Sequence, residues 1–501
     1  MDRLLSLLNE MRAAGGAIRT RGLDDAVIRR FAASRPALRT AIEEAHARFR
    51  ELSRVMPDFI ALDEAEQVRR AQEGILNFYP EDAVNPYVAL AARGAWIVTL
   101  KGAVVLDMGG YGMLGFGHAP EPVLAALNGT QVMANVMTPS LSQMRAVAAL
   151  RGEIGHRRGG CPYAKFFFLN SGSEAVTLAG RLADVNVKRM TDPGAPRAGA
   201  KVRRISVKGS FHGRTEHPAL YSDSTRRAYQ QHLGSAKHHD HLIAIEPYDV
   251  AALEQAFAEA ERNGWFIEAV FLEPVMGEGN PGKALTPEFY AAARELTARH
   301  GTLLLIDSIQ AGLRAQGVLS IVDYPGFEGL PPPDMETFSK ALNAGQFPLS
   351  VLAVNERAAG LYRKGIYGNT MTANPRALDC ATAVLAALTP ELRRNIVERG
   401  REFVERLKRL REELDGRICA VQGTGLLVSC ELAPDYKCYG ADSIEDFLRT
   451  QGLGVIHGGQ NSLRFTPTFD IGSEELELAV NAVRHALLHG PKQQAERAAA
   501  A

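Results

Sequence analysis

Three rhythms of apolar and polar positions run along this chain. Over residues 1–85 the apolar positions recur at helical spacing among many arginines. Leu38, Ile42, Ala45, Phe49 and Leu52 repeat at steps of four and three, behind a helix start at Ser34 and Pro36. This stretch reads as a helical N-terminal extension packed on the body or on a second subunit, with Pro80 to Pro86 as its linker. The texture then changes to short strands and glycine turns. From about 160 to 355, short apolar runs alternate with helices. The runs are Lys165–Leu169, Arg204–Lys208, Ala269–Glu273, Leu303–Asp307 and Leu349–Val354, each suited to a buried parallel strand. One intervening helix runs from Asp249 to Gly264, and another from Thr286-Pro287 to Gly301. Strand alternating with helix implies an α/β fold whose mainly parallel sheet is covered on both faces. A third rhythm follows. A long amphipathic helix through Leu392, Ile396, Phe403, Leu407, Leu410 and Leu414, short strands and a final helix capped at Ser473 predict a smaller α+β domain.

The boundaries that result are a helical extension (1–85), a segment packing with the small domain (86–135), a large domain (136–375), a C-terminal small domain (376–490) and a flexible tail (491–501). Composition narrows the function. The chain has 501 residues, more than one core usually serves. Lys plus Arg (57) equals Asp plus Glu (57), which argues against a nucleic-acid partner. No apolar run is long enough to span a membrane, and the N-terminus mixes charges into its apolar stretch, unlike a signal peptide. Five scattered cysteines without CxxC spacing point to a reducing, cytoplasmic setting.

Candidate chemistry sits at predicted strand ends. Phe166 to Leu169 leads into Asn170-Ser-Gly-Ser-Glu-Ala175, where Ser171, Gly172 and Ser173 open a helix and offer N–H groups to an anion. Asp307 ends an apolar strand, the position outside which ligands bind in open α/β sheets. Lys340, before a small-residue turn, is a candidate partly buried amine able to form a Schiff base. A phosphate cradle, a strand-end carboxylate and a downstream lysine together are the parts that pyridoxal phosphate chemistry needs. Two other motifs are set aside. Gly277-Glu-Gly-Asn-Pro-Gly282 matches a dinucleotide fingerprint, but Glu278 would repel a pyrophosphate and the next helix starts only at Thr286-Pro287. His238-His239-Asp240-His241 reads as a solvated loop, so no metal is expected.

The sequence resembles the class III aminotransferases, which include ornithine, acetylornithine and 4-aminobutyrate aminotransferases. The resemblance rests on Asn170 to Ala175, Ser210-Phe-His-Gly-Arg-Thr215, Glu273-Pro-Val-Met-Gly-Glu-Gly279, Asp307-Ser-Ile-Gln310, Ser339-Lys340, Thr370 with Asn374-Pro375, and Arg464, in the family's order. Gly117-His118 and Gly423-Thr-Gly425 fit too. The resemblance implies a fold-type I transferase dependent on pyridoxal 5'-phosphate, moving an amino group from an amine or amino acid to a 2-oxo acid by a ping-pong mechanism. A racemase, epimerase or aminomutase on the same fold is the alternative. Carried over, it makes Lys340 the Schiff-base lysine and Asp307 the partner of the pyridine nitrogen. Gln310 meets the ring hydroxyl, and Gly172 and Ser173 hold the phosphate beside Ser171. Phe211 stacks on the ring with His212 beside it, Thr370 reaches the phosphate of a second subunit in a homodimer, and Arg464 binds a substrate carboxylate. Glu278 is expected to mask Arg464 when no acceptor is bound, and Glu273 to brace Arg214. The family's Asp-Glu-Val-Gln-Thr-Gly becomes Asp307-Ser308-Ile-Gln310-Ala311-Gly312 here, the downstream Arg moves to Arg314, and Met276 replaces a Gln. These departures bear on the substrate.

Overall fold

The computed structural model describes residues 2–238 and 241–493. The chain divides into two compact units, Met1–Pro120 with Glu398–Ala501, and Glu121–Val397. No helix among the described residues is long and apolar enough to cross a membrane.

In the first unit, strands β1 (Ala89–Arg93), β2 (Trp96–Thr99) and β3 (Val104–Asp107) form an antiparallel sheet. The helix Pro36–Val55 lays its buried stripe of Leu38, Ala41, Ile42, Ala45 and Phe49 against β1 and β2. That helix starts with Pro at its first position behind Arg35, not at Ser34, which ends the preceding helix Asp25–Ser34. Proline is favoured there because its missing N–H would be unpaired anyway. A polar lock ties the extension down. Lys101 is 2% exposed, and its ammonium donates to the carbonyls of Gly15 (2.5 Å) and Ile60 (2.9 Å). Buried Glu64 accepts from the amides of Arg19 (2.8 Å) and Thr20 (2.7 Å).

The second unit is built on a seven-stranded sheet. Its strands are β4 (Lys165–Leu169), β5 (Lys201–Val207), β6 (Leu242–Ile245), β7 (Trp265–Leu272), β8 (Leu303–Asp307), β9 (Met335–Phe338) and β10 (Ser350–Val354), in the order β4-β10-β9-β8-β7-β5-β6. Strands β9, β8, β7, β5 and β6 are parallel. Strand β10 runs antiparallel to both β4 and β9, against the parallel arrangement expected for Leu349–Val354. The connection from β9 carries only a 3₁₀ turn, Lys340–Asn343, too little for a crossover to a parallel neighbour. The helix Gly172–Thr191 packs Ala175, Val176, Leu178, Ala179, Leu182 and Ala183 onto one sheet face with Phe271, Leu303, Leu305 and Leu352. Helices Val250–Arg262 and Pro287–His300 pack against β7, and the second also against β8. Asp249 and Thr286 cap them by accepting from Ala252 and Phe289 amides.

Back in the first unit lie β11 (Ile418–Thr424), β12 (Leu427–Leu432), β13 (Leu453–Gly454), β14 (Ile456–Gly458) and β15 (Ser462–Phe465). β13 joins β3 in parallel, and the others form an antiparallel sheet ordered β11-β12-β15-β14. The final helix, Ser473–His489, is capped one residue earlier than expected, at Gly472, whose amide donates to Glu475. Of the expected tail, residues 494–501 lie outside the described residues.

Candidate active site

Strands β4, β8 and β9 end at one cavity of about 210 Å³ in the second unit. Ser171, Gly172, Ser173, Phe211, His212, Glu278, Asp307, Gln310 and Lys340 all line it. Residues separated by more than 150 positions are thus brought together by the sheet. Sequence reading missed Gly213, Ile309 and Ser339 on the same wall.

The anion cradle follows from a helix cap. Ser171 Oγ accepts from the Glu174 amide (3.2 Å), while the Glu174 carboxylate accepts from the amides of Asn170 (2.7 Å) and Ser171 (3.3 Å). The N–H groups of Gly172 and Ser173 lie in the helix's first turn, where no intrahelical acceptor exists, and the positive end of the helix dipole is behind them. Gly213 closes the cradle at φ +119°; a Cβ there would stand 2.4 Å from Ser173 Oγ. Only glycine allows that approach.

Asp307 is 4% exposed. Its Oδ2 lies 2.9 Å from His212 Nδ1, and its Oδ1 accepts from Thr337 Oγ1 (3.0 Å) and the Ile309 amide (3.2 Å). Thr337 could be found only from the register, which sets it opposite Asp307 across β8 and β9. His212 Nε2 and Gln310 Nε2 are buried and find no partner among the described residues. Lys340 follows β9 with φ +41°, in the left-handed region that side chains other than glycine rarely occupy. Strain of this kind is held at functional positions by the surrounding structure. Here Ser339 Oγ, donating to the Leu349 carbonyl (2.7 Å), fixes the preceding residue.

The expected Glu273–Arg214 brace is replaced. Arg214 pairs with Glu278 (3.2 Å) and lies over the Phe211 ring at 5.2 Å. Glu273 instead accepts from the amides of Phe211 (3.0 Å) and Gly277 (2.8 Å), one on each oxygen. Burial pushes its carboxyl up to about 7. A carboxylate enclosed by two backbone amides is a turn brace, whereas the more exposed Arg214 meets the loop carboxylate.

Thr370 lies in an exposed turn outside the cavity. The neighbouring Asn369 and Tyr367 donate to Glu174 (2.7 and 2.6 Å), so this turn hangs on the cap of the cradle. Arg464 belongs to the first unit. It is buried in β15 between Ser429 and Ile456, with its guanidinium 5.4 Å from the Tyr111 ring centre. In that unit His118 also meets Asp107 at 2.9 Å. Ser308 donates to Glu336, and Arg314 is fully buried, which lowers its guanidinium to about 9. Among the described residues no group of three or more His, Cys, Asp or Glu side chains is placed to hold a metal; His239 and Asp240 of the histidine-rich run lie outside them.

This donor set fits a phosphorylated pyridine aldehyde. Helix-end amides suit the phosphate, a buried carboxylate suits a protonated ring nitrogen, an unpartnered amide suits the ring hydroxyl, and an amine suits the aldehyde. Comparison with known proteins agrees. Residues 78–487 match the family model Aminotransferase class-III. The chain is 30% identical over 412 residues to ornithine aminotransferase 2 of Staphylococcus aureus, covering 80% of this chain and 94% of that protein. It is 28% identical over 414 residues to the acetylornithine aminotransferase of Neisseria meningitidis serogroup B, covering 81% and 96%. In fold it is similar to the ornithine aminotransferase of Toxoplasma gondii ME49, with a TM-score of 0.72 at 23% identity over 87% of this chain and 98% of that one. The chain therefore belongs to the class III aminotransferase family, pyridoxal-phosphate-dependent enzymes of fold type I that transfer amino groups.

Proposed function

We propose that this enzyme moves the terminal amine of a donor such as ornithine or acetylornithine to a 2-oxo acid, in two half-reactions that share Lys340 as proton carrier. The observation that carries the reading is the convergence of Lys340, Asp307 and a capped helix N-terminus on one cavity. The donors named for the two relatives above support the choice of amine.

In this reading Gly172 and Ser173 hold the phosphate with Ser171 shaping the turn, Phe211 covers the ring, and Gln310 donates to its hydroxyl. Asp307 keeps a proton on the ring nitrogen, and His212 holds Asp307 from behind. Pyridoxal 5'-phosphate, when bound, supplies a ring that takes up the electron pair left when the donor carbon loses its proton. Lys340 Nζ would take up that proton and hold it for return on the same side of the bound amine. Arg464 grips the acceptor carboxylate with its two-pronged guanidinium. Glu278, which here meets Arg214, covers the Arg464 guanidinium when no acceptor is bound.

The active assembly in this reading is a cytoplasmic homodimer in which Thr370 completes the partner's cradle. Val132, Met137, Leu141 and Met144 are 71, 80, 67 and 63% exposed, an apolar stretch that suits burial against a second copy. All five cysteines are free thiols, in keeping with a reducing compartment. A donor panel tests the reading. Ornithine or acetylornithine should change the absorbance of the bound cofactor without any oxo acid, and Lys340→Ala should abolish turnover. Turnover of Lys340→Ala at the wild-type rate, or a panel in which no terminal amine reacts, would sink it. Sedimentation of the active enzyme as a monomer would remove the shared cradle.

A further inference from the structure

Next to Asp307, at the position where the resembling family carries Glu, this chain has Ser308. Ser308 Oγ donates to Glu336 Oε1 at 2.5 Å, and Glu336 lies on the neighbouring strand β9, opposite Ile306 in the register. Glu336 is fully buried. Its Oε1 also accepts from the Ile321 amide (2.9 Å), while Oε2 accepts from Ser320 Oγ (2.5 Å) and Tyr163 OH (2.6 Å).

The four donors have a pattern. Ser308 begins the excursion that leaves β8, and Ser320 and Ile321 end it. One carboxylate therefore closes both ends of a loop, and Tyr163 anchors that closure to the residues before β4. The loop carries Ile309 and Gln310, both on the cavity wall. Inside it, the Gly312 amide donates to the Ser308 carbonyl (2.8 Å) and the Leu313 amide to Val318 (2.9 Å), so the closed segment is itself bonded tightly. An open loop of this length would spread Gln310 over many positions, and closing it has an entropic cost that a buried cluster of four hydrogen bonds can offset.

We propose that Glu336 is the positioning residue for Gln310: by clamping the 308–321 loop from β9 it sets the Gln310 amide against the cofactor ring. The inference rests on the reading that Gln310 faces the cofactor. It assigns Glu336 no contact with substrate or cofactor.

The test is a double-mutant cycle read by cofactor binding to the full chain. Pyridoxal 5'-phosphate is titrated into the enzyme freed of cofactor, and both dissociation constant and visible band position are recorded. Glu336→Gln should weaken binding about tenfold and shift the band, as Gln310→Ala also should, while the KM for the 2-oxo acid stays within about twofold. The double variant should be no weaker than Gln310→Ala alone, because Glu336 acts through Gln310. Losses that multiply, or a Glu336→Gln enzyme with unchanged affinity and band, would overturn the proposal. Should Glu336→Gln fail to fold, Ser320→Ala removes one donor only and enters the same cycle with the same expected non-additivity. Wild-type enzyme that bound no cofactor would instead defeat the functional reading on which the cycle stands.

Discussion

Asp307 and Glu336 are two buried carboxylates on adjacent strands, yet their partners differ in kind. Asp307 faces the cavity and is held by His212, Thr337 and the Ile309 amide, a set that leaves it open on the side of the wall. Glu336 faces away and is enclosed by four donors from three separate parts of the chain. In the proposed reading, the carboxylate used in chemistry keeps one direction unfinished, whereas the one holding a loop is saturated. Both obey the same rule that a buried charge must be bonded.

Asp307→Asn should show the largest effect. The variant keeps the shape and its contact with Thr337 but loses the charge, so kcat should fall by about 10²–10⁴ while the urea midpoint of unfolding barely moves. Steady-state rates and denaturation on one preparation check it; a comparable drop in stability would erase the contrast. Glu336→Ala should invert the pattern. Several buried donors would lose their acceptor at about 1–3 kcal/mol each, so the urea midpoint should fall clearly. An unmoved midpoint would mean that water replaces the carboxylate.

The smallest effect is a dependence on pH. Burial pushes Glu336 up to about 7, although the hydroxyls of Ser308, Ser320 and Tyr163 and the Ile321 amide pull it down. An unfolded glutamate titrates near about 4.3. Between these values the folded protein holds a proton that the unfolded chain has released. Its contribution to stability is full below the unfolded value and is lost as pH rises through the folded one. The wild type should therefore lose stability from about pH 5 to about pH 8 relative to Glu336→Gln, read from paired urea midpoints. A constant difference between the two would show that Glu336 does not titrate in that window.

The same contrast explains what could be read from the sequence. Asp307 and the 171–173 turn were legible because each stands at the end of an apolar run, where local spacing already marks a strand edge, and Lys340 because it precedes a small-residue turn. The mainly parallel sheet was legible for the same reason. Glu336 was invisible: within Met335-Glu-Thr-Phe338 it is one charge in a short strand, and its meaning comes from Tyr163 and Ser320, far away in the sequence. The direction of β10 was misjudged because an apolar run looks the same in either orientation, and only the short link from β9 decides it. Arg214 was assigned the wrong carboxylate for a similar reason. Glu273 and Glu278 lie five positions apart, and spacing could not tell which of them the Phe211 and Gly277 amides would claim.

The lock between Lys101 and the N-terminal helices has a practical consequence for anyone trimming the protein. The family match begins at residue 78, which invites a shortened chain starting there. Such a truncation would strip the Gly15 and Ile60 carbonyls from the Lys101 ammonium. It would also lay bare the surface that Ile42, Ala45 and Phe49 now cover. A domain boundary drawn from similarity and a boundary drawn from solvation are different lines in this molecule, and expression of the shorter piece should yield more aggregate than expression of the whole chain.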